Sequence, residues 1–264
     1  MSASTTAAAE PRVPEPGGQE HATDLADFAA GLARDLELLA DLHDHEPTEA
    51  VIEAVRAGPI SDEFALRLSS PRSRRAVDEF TRIGAALPRP VTKELIEDLA
   101  SAYADVYLRY HFRVAPTESV WLTEESLERQ GPMFRAREFY RRHGLTVTDP
   151  ANRPDDHLVL ELRFLARLAG KAEDARALEP VARFLDEHLL LWIGRFADRL
   201  AARGAHPWYV ALGDLTAGYL GEVREHLAAI TGLAVPEVPE ATMEPGELLD
   251  AKPSVFMPGT APGW

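Results

Sequence analysis

Apolar residues in this chain recur at three- and four-residue intervals in one stretch after another, a pattern that admits helix packed on helix and little else. Leu25, Phe28, Leu32, Leu36, Leu39 and Leu42 share one helical face, with Thr23 as the expected cap and Glu46-Pro47 as the break. Ser70-Pro71 predicts a helix start, and that helix runs to Leu87 before the Pro88-Arg89-Pro90 segment closes it. Thr92 opens the next, which carries Leu95, Leu99, Tyr103, Val106, Tyr107 and Tyr110. Thr123 is expected to cap a helix through His143, kinked or split at Gly131-Pro132 and stopped by Gly144. A helix from Pro154 to Gly170 gathers Leu158, Leu162, Leu165, Leu168 and Ala169 on one arc and sets Val159, Arg163 and Arg167 opposite. Phe184, Leu185, Leu189, Trp192, Phe196 and Leu200 mark one long buried helix between Pro180 and Gly204, and a last helix spans about Pro207 to Ile230. Strand-like alternation is scarce, so the expected fold class is all-α, a single-domain helical bundle.

A chain of 264 residues with 45% hydrophobic content can bury one sizeable core. The expected domain spans residues 23–232, between an N-terminal tail at 1–22 and a proline-rich acidic tail at 233–264 that has too little apolar surface to offset ordering entropy. A formal net charge of -15 argues against nucleic acid and anionic membranes and suits a cationic partner. The absence of cysteine excludes disulfides, iron–sulfur ligation, thiolate zinc sites and a cysteine nucleophile. The first twenty residues lack the basic start and apolar run of a signal peptide, and no apolar run is long enough for a bilayer. The expected location is therefore cytoplasmic, without stable membrane insertion. The arginine pairs at 74–75 and 141–142 lead into no apolar stretch and are not export signals.

The sequence contains no phosphate loop, no GxSxG elbow and no GxGxxG turn. No histidine follows a glutamate by three residues, as a di-iron bundle requires. In LHDHE at 42–46, Asp41 and His45 share a face, but a solvated helix end explains them better than a metal. His188 and the Glu222/His226 pair read as ordinary satisfied groups. His157 and Glu161, four apart at the edge of an apolar arc, read as a buried polar pair. They are also the residues on which a metal-dependent helical enzyme would have to rest. No nucleophile or oxyanion donor accompanies them, so no catalytic residue, cofactor or metal is expected.

Four stretches carry a resemblance to the TorD/DmsD/NarJ family of maturation chaperones for molybdenum-containing redox enzymes. They are DVYLRYHF at 105–112, APTESVWL at 115–122, RPDDHLVLELRFLARL at 153–168, and FLDEHLLLWIGRFADRL with its successor PWYVALGDLTAGYL. Together they cover roughly residues 90 to 222. The most specific is the family's Pro-x-Asp-His signature, matched by Pro154, Asp155, Asp156 and His157 and followed by Leu158. Thr117 stands where the family often has an aromatic residue before Glu118, Ser119 and Val120. The resemblance implies a cytoplasmic chaperone that binds the N-terminal peptide of an apo molybdoenzyme catalytic subunit, commonly a twin-arginine signal, until molybdopterin is inserted. A NarJ-like factor serving a non-exported enzyme is the alternative.

On this resemblance the peptide-binding set is Tyr107, Phe112, Ser119, Trp121, Pro154, Asp155, Asp156 and His157, supported by Glu161. The aspartates could meet arginine, and Tyr107, Phe112 and Trp121 could wall an apolar groove. Equally, the aspartates could serve the positive end of the helix, and the aromatics the core. Protonation of His157 would make peptide affinity depend on pH near neutrality. A monomer is expected, with a domain-swapped dimer hinged at residues 144–153 as the alternative.

Overall fold

The structure, a computed structural model, describes residues 16–109, 114–149 and 152–236. It is all-α, and no strand occurs among the described residues. In chain order the α-helices are α1 (Pro16–Asp44), α2 (Glu49–Ala57), α3 (Pro71–Ala86), α4 (Lys93–Tyr103), α5 (Glu118–Leu122), α6 (Gly131–Arg142), α7 (Leu158–Ala169), α8 (Glu179–Glu187), α9 (Ile193–Ala202) and α10 (Pro207–Thr231). A π-helical turn, Ala104–Leu108, continues α4. Buried apolar side chains from all ten helices join one cluster. The residues at 1–15 and 237–264, which hold most of both expected tails, lie outside the described residues.

Local chemistry explains the boundaries that the sequence shows. The Ser70 hydroxyl accepts from Ser73 N–H at the start of α3, with Pro71 in the first turn, and Thr92 does the same for Leu95 at the start of α4. Gly144 and Gly232 stand at φ +71° and +74°, the left-handed conformation that ends α6 and α10 at low steric cost.

Four expectations need correction. First, α1 begins at Pro16, so Thr23 lies inside it and is not its cap. Second, Thr123 closes α5 rather than opening α6: its hydroxyl donates to Ser119 O, one turn back. Third, α7 begins at Leu158, because residues 154–157 form a turn, with His157 N–H donating to Pro154 O (3.1 Å), and His157 itself is extended. Val159, on the face set opposite the apolar arc, is fully buried as well. Fourth, the long helix expected through Trp192 is broken at His188, where φ −132° and ψ −92° leave the helical region; a 3-10 turn at Leu189–Leu191 then leads into α9.

Two packing contacts position the rest. α7 lies along α1, while α10 packs on both α3 and α9. A Cβ on Gly218 would come within 3.2 Å of the Ser73 Cα, so this glycine permits the close approach of α10 to the start of α3. One turn further on, Glu222 reaches that helix start and accepts from Ser69 N–H, Ser70 N–H and the hydroxyls of Ser69 and Ser73. Burial would raise the carboxyl's pKa, but these bonds outweigh it and hold Glu222 at about 2.

Candidate functional site

The two most distinctive sequence stretches fold onto each other. Glu118 N–H donates to Asp156 O (3.0 Å) and Leu158 N–H to Pro116 O (2.8 Å), so Thr117 and His157 form an isolated antiparallel bridge. The signature stretch then caps both helices of this junction. Asp156 Oδ2 accepts from Ser119 N–H (2.8 Å) and from the Ser119 hydroxyl, capping α5 from 37 residues away, because Thr117 makes no side-chain cap bond. His157 Nδ1 accepts from Val159 N–H (3.2 Å) and caps α7. Trp121 Nε1 donates to Ala115 O, which closes the turn before α5.

This geometry decides what the signature residues can touch. Asp156 is fully buried and faces Ser119. Burial raises its carboxyl's pKa, an effect the Ser119 bonds only partly offset. Asp155, 3% exposed, holds the Arg137 guanidinium at 2.8 Å from Oδ2, while its backbone carbonyl accepts from Tyr140 OH. Tyr107, Ser119, Trp121, Pro154 and His157 are buried as well, and Phe112 lies outside the described residues.

Tyr107 OH meets His43 Nδ1 at 2.6 Å, and His43 Nε2 meets the Thr216 hydroxyl at 2.8 Å. Since that hydroxyl donates to Leu212 O, Nε2 carries the proton and Nδ1 accepts from the tyrosine. His43 is thus a neutral core histidine, its pKa lowered to about 3 by burial. Its neighbour His45 is exposed, and Asp41 pairs with Arg163, so LHDHE does not converge on a metal.

The expected His157–Glu161 pair does not form. A helix from Pro154 sets both on one face, but His157 precedes the helix and its Nδ1 accepts from Val159 N–H. Burial, with Arg153 adding to it, lowers its pKa to about 3, which removes the charge change near neutrality. Glu161 instead faces residues that sequence reading left unconnected to it. It lies with Glu118 and His188 in a group whose ligand-type atoms are all within 4.8 Å of one another. His188 Nδ1 donates to Glu118 Oε2 at 2.7 Å, and the ring stacks on Phe184 at 4.4 Å between centroids. The carboxyl of Glu161 is pushed well above its ordinary pKa by burial first, then by Glu118 and Asp156. The sequence holds no local sign of this group, since Glu118 and His188 are 70 residues apart.

Outside the junction a cleft of about 230 Å³ is lined by Arg137, Tyr140, Arg141, Leu145, Thr146, Val147 and Asp155. A larger cavity of about 600 Å³ lies elsewhere, among Arg72, Arg75, Asp78, Glu79, Arg82, Asp198 and Asp214, with Ala76 as its one apolar lining residue.

The sequence profile described as "Nitrate reductase delta subunit" matches residues 72–198, which include both partners of the junction and His188. The chaperone protein TorD of Vibrio cholerae serotype O1 (strain ATCC 39541) is 32% identical over 131 residues, 47% of this chain and 59% of that protein. The TorD of Vibrio vulnificus (strain YJ016) is 30% identical over 120 residues, covering 42% and 56%. The Tat proofreading chaperone DmsD of Salmonella typhi is 32% identical over 120 residues, covering 45% and 57%. The match thus spans somewhat more than half the length of these relatives. With the matched segments forming the junction of an all-helical fold, the chain is similar to the TorD/DmsD/NarJ family over about half of its length.

Proposed function

We propose that the protein is a cytoplasmic chaperone, not an enzyme, that binds the N-terminal peptide of an apo molybdoenzyme catalytic subunit before molybdopterin insertion. Its relatives are named TorD and Tat proofreading DmsD chaperones, which supports the class of activity and the kind of client. The observation that carries the peptide reading is the Asp155–Arg137 ion pair at the cleft beside the junction. A twin-arginine signal has guanidinium groups followed by an apolar segment. Here a buried carboxylate holds a guanidinium whose own side chain is 39% exposed, next to Leu145 and Val147. Arg137 acts as an internal stand-in, and a client arginine displaces it from Asp155 while the apolar residues that follow line the cleft. Asp156, His157, Ser119 and Trp121 hold Asp155 in place from beneath. The metal-dependent enzyme reading on His157 and Glu161 has no such support, because the two side chains do not meet.

The test begins with the client that co-purifies with the full chain, followed by calorimetric titration with that client's N-terminal peptide. Asp155→Asn weakens binding about tenfold, the worth of one charge-assisted hydrogen bond. Arg137→Ala tightens it, because the competing internal guanidinium is gone. Weaker binding by Arg137→Ala would sink the stand-in and place the arginine among the direct contacts. A second reading, a NarJ-like factor for a non-exported enzyme, is favoured by the profile's nitrate reductase description. It predicts a client without a twin-arginine leader.

A further inference from the structure

We propose that Glu118, Glu161 and His188 bind one divalent transition-metal ion of the zinc type beneath the junction. Three segments far apart in sequence, the starts of α5 and α7 and the break between α8 and α9, each bring one ligand atom into a space within 4.8 Å. The two glutamates are fully buried and the histidine is 2% exposed.

The second observation is what these groups lack. Both carboxyl oxygens of Glu161 are buried without a hydrogen bond, as are Glu118 Oε1 and the Trp192 indole N–H. Arg135 approaches Glu118 Oε1 only to 3.9 Å, from a side chain that is 59% exposed. Carboxyl groups in a dry interior are ordinarily given donors or a cation, as the serine-bonded Glu222 shows. Glu161 has no donor within hydrogen-bond distance and no cation; the nearby Trp192 N–H favours its charged form, but burial first, then Glu118 and Asp156, still push its pKa well above the ordinary value. A divalent ion supplies the missing cation.

The donor set fits the ion. Two carboxylate oxygens and one imidazole nitrogen suit zinc in a chain without thiolates, and three protein ligands leave a fourth position for water. Zinc bond lengths of about 2.0 to 2.2 Å put ligand atoms about 3.3 Å apart. Closing on the ion therefore takes side-chain adjustments on the order of 1 Å, and His188 Nδ1 and Glu118 Oε2 part slightly from 2.7 Å. The Trp192 N–H then donates to the Glu161 oxygen that does not bind metal, fixing the ligand's orientation. Bound there, the ion ties α5, α7 and the His188 break together, whatever binds at the surface above.

The test uses the full chain without a polyhistidine tag, stripped with a chelator and titrated with zinc chloride by calorimetry and by thermal melting. One zinc per chain is expected, with Tm raised by about 5 to 10 °C at a hundredfold excess over Kd. Glu161→Gln keeps the shape of the side chain and removes an ionisable ligand from the interior, so it folds, binds zinc at least a hundredfold more weakly and loses the Tm response. His188→Asn, a second variant read the same way, loses it too. No zinc-dependent shift in the wild-type chain overturns the proposal. So does an equal shift in the wild type and both variants, which would put the ion on surface groups such as His45.

Discussion

Glu222 and Glu161 are the same residue type, 4% and 0% exposed, and each sits inside a helix, yet their surroundings drive them in opposite directions. Glu222 faces the first turn of α3, where amides without intrahelical partners and serine hydroxyls converge, and its pKa falls to about 2. Glu161 faces two other carboxyl-bearing residues and an imidazole already engaged with Glu118, and its pKa rises. Burial alone therefore does not set a carboxylate's charge; what sets it is whether donors were aimed at the group before it was buried. One site joins two helices by satisfied hydrogen bonds. The other stands at the signature junction and leaves its polar atoms open to something else.

Three substitutions test that contrast. The largest expected effect is from Trp192→Ala, about 3 to 5 kcal/mol in urea denaturation, because a fully buried indole leaves a cavity beside Glu161. A loss under about 1 kcal/mol would mean that Glu161 is not in a dry, packed setting, and the contrast would fail. Next comes Glu222→Gln, about 2 to 3 kcal/mol at neutral pH, from a carboxyl held near 2 in the folded chain. Because the folded value lies below the ordinary 4.5, that stability is complete above pH 4.5 and disappears as pH falls through about 2. Wild type and variant should converge over that window, and a gap that stays constant would point to packing instead of charge. The smallest effect is expected from Glu161→Gln in metal-free protein, within about 1 kcal/mol and of either sign, since replacing an uncompensated buried acid removes a liability. A loss equal to that at Glu222 would make the two sites equivalent.

Much of the frame was legible because it rests on local rules. Ser70, Thr92 and Gly144 cap or stop helices through groups within a few residues of them, and the period of apolar positions shows which face is buried. The candidate site was legible only in part. Its stretches were found, but their pairing was not, since Glu118 and Asp156 meet across a turn-like bridge that leaves no periodicity. A helix starting at Pro154 instead of Leu158 puts His157 and Glu161 on one face and suggests a pair that the turn before Leu158 prevents. The break at His188 was hidden for a similar reason. Its apolar neighbours keep helical spacing through Trp192, and only the backbone angles show that the histidine has turned towards Glu118.

The link from Glu222 to the start of α3 also governs the order in which the chain can be completed during synthesis. The serines that need this carboxylate leave the ribosome early, while their partner lies 149 residues later for Ser73. At about 5 to 20 residues per second, the nascent chain waits roughly 7 to 30 s with the first turn of α3 capped by Ser70 but without its carboxylate. For that interval the face of α3 destined for α10 has no cover, whereas α9, which directly precedes α10, waits far less. A protein proposed to shield an unfinished enzyme therefore passes through an unfinished state of its own, one that ends only when α10 emerges.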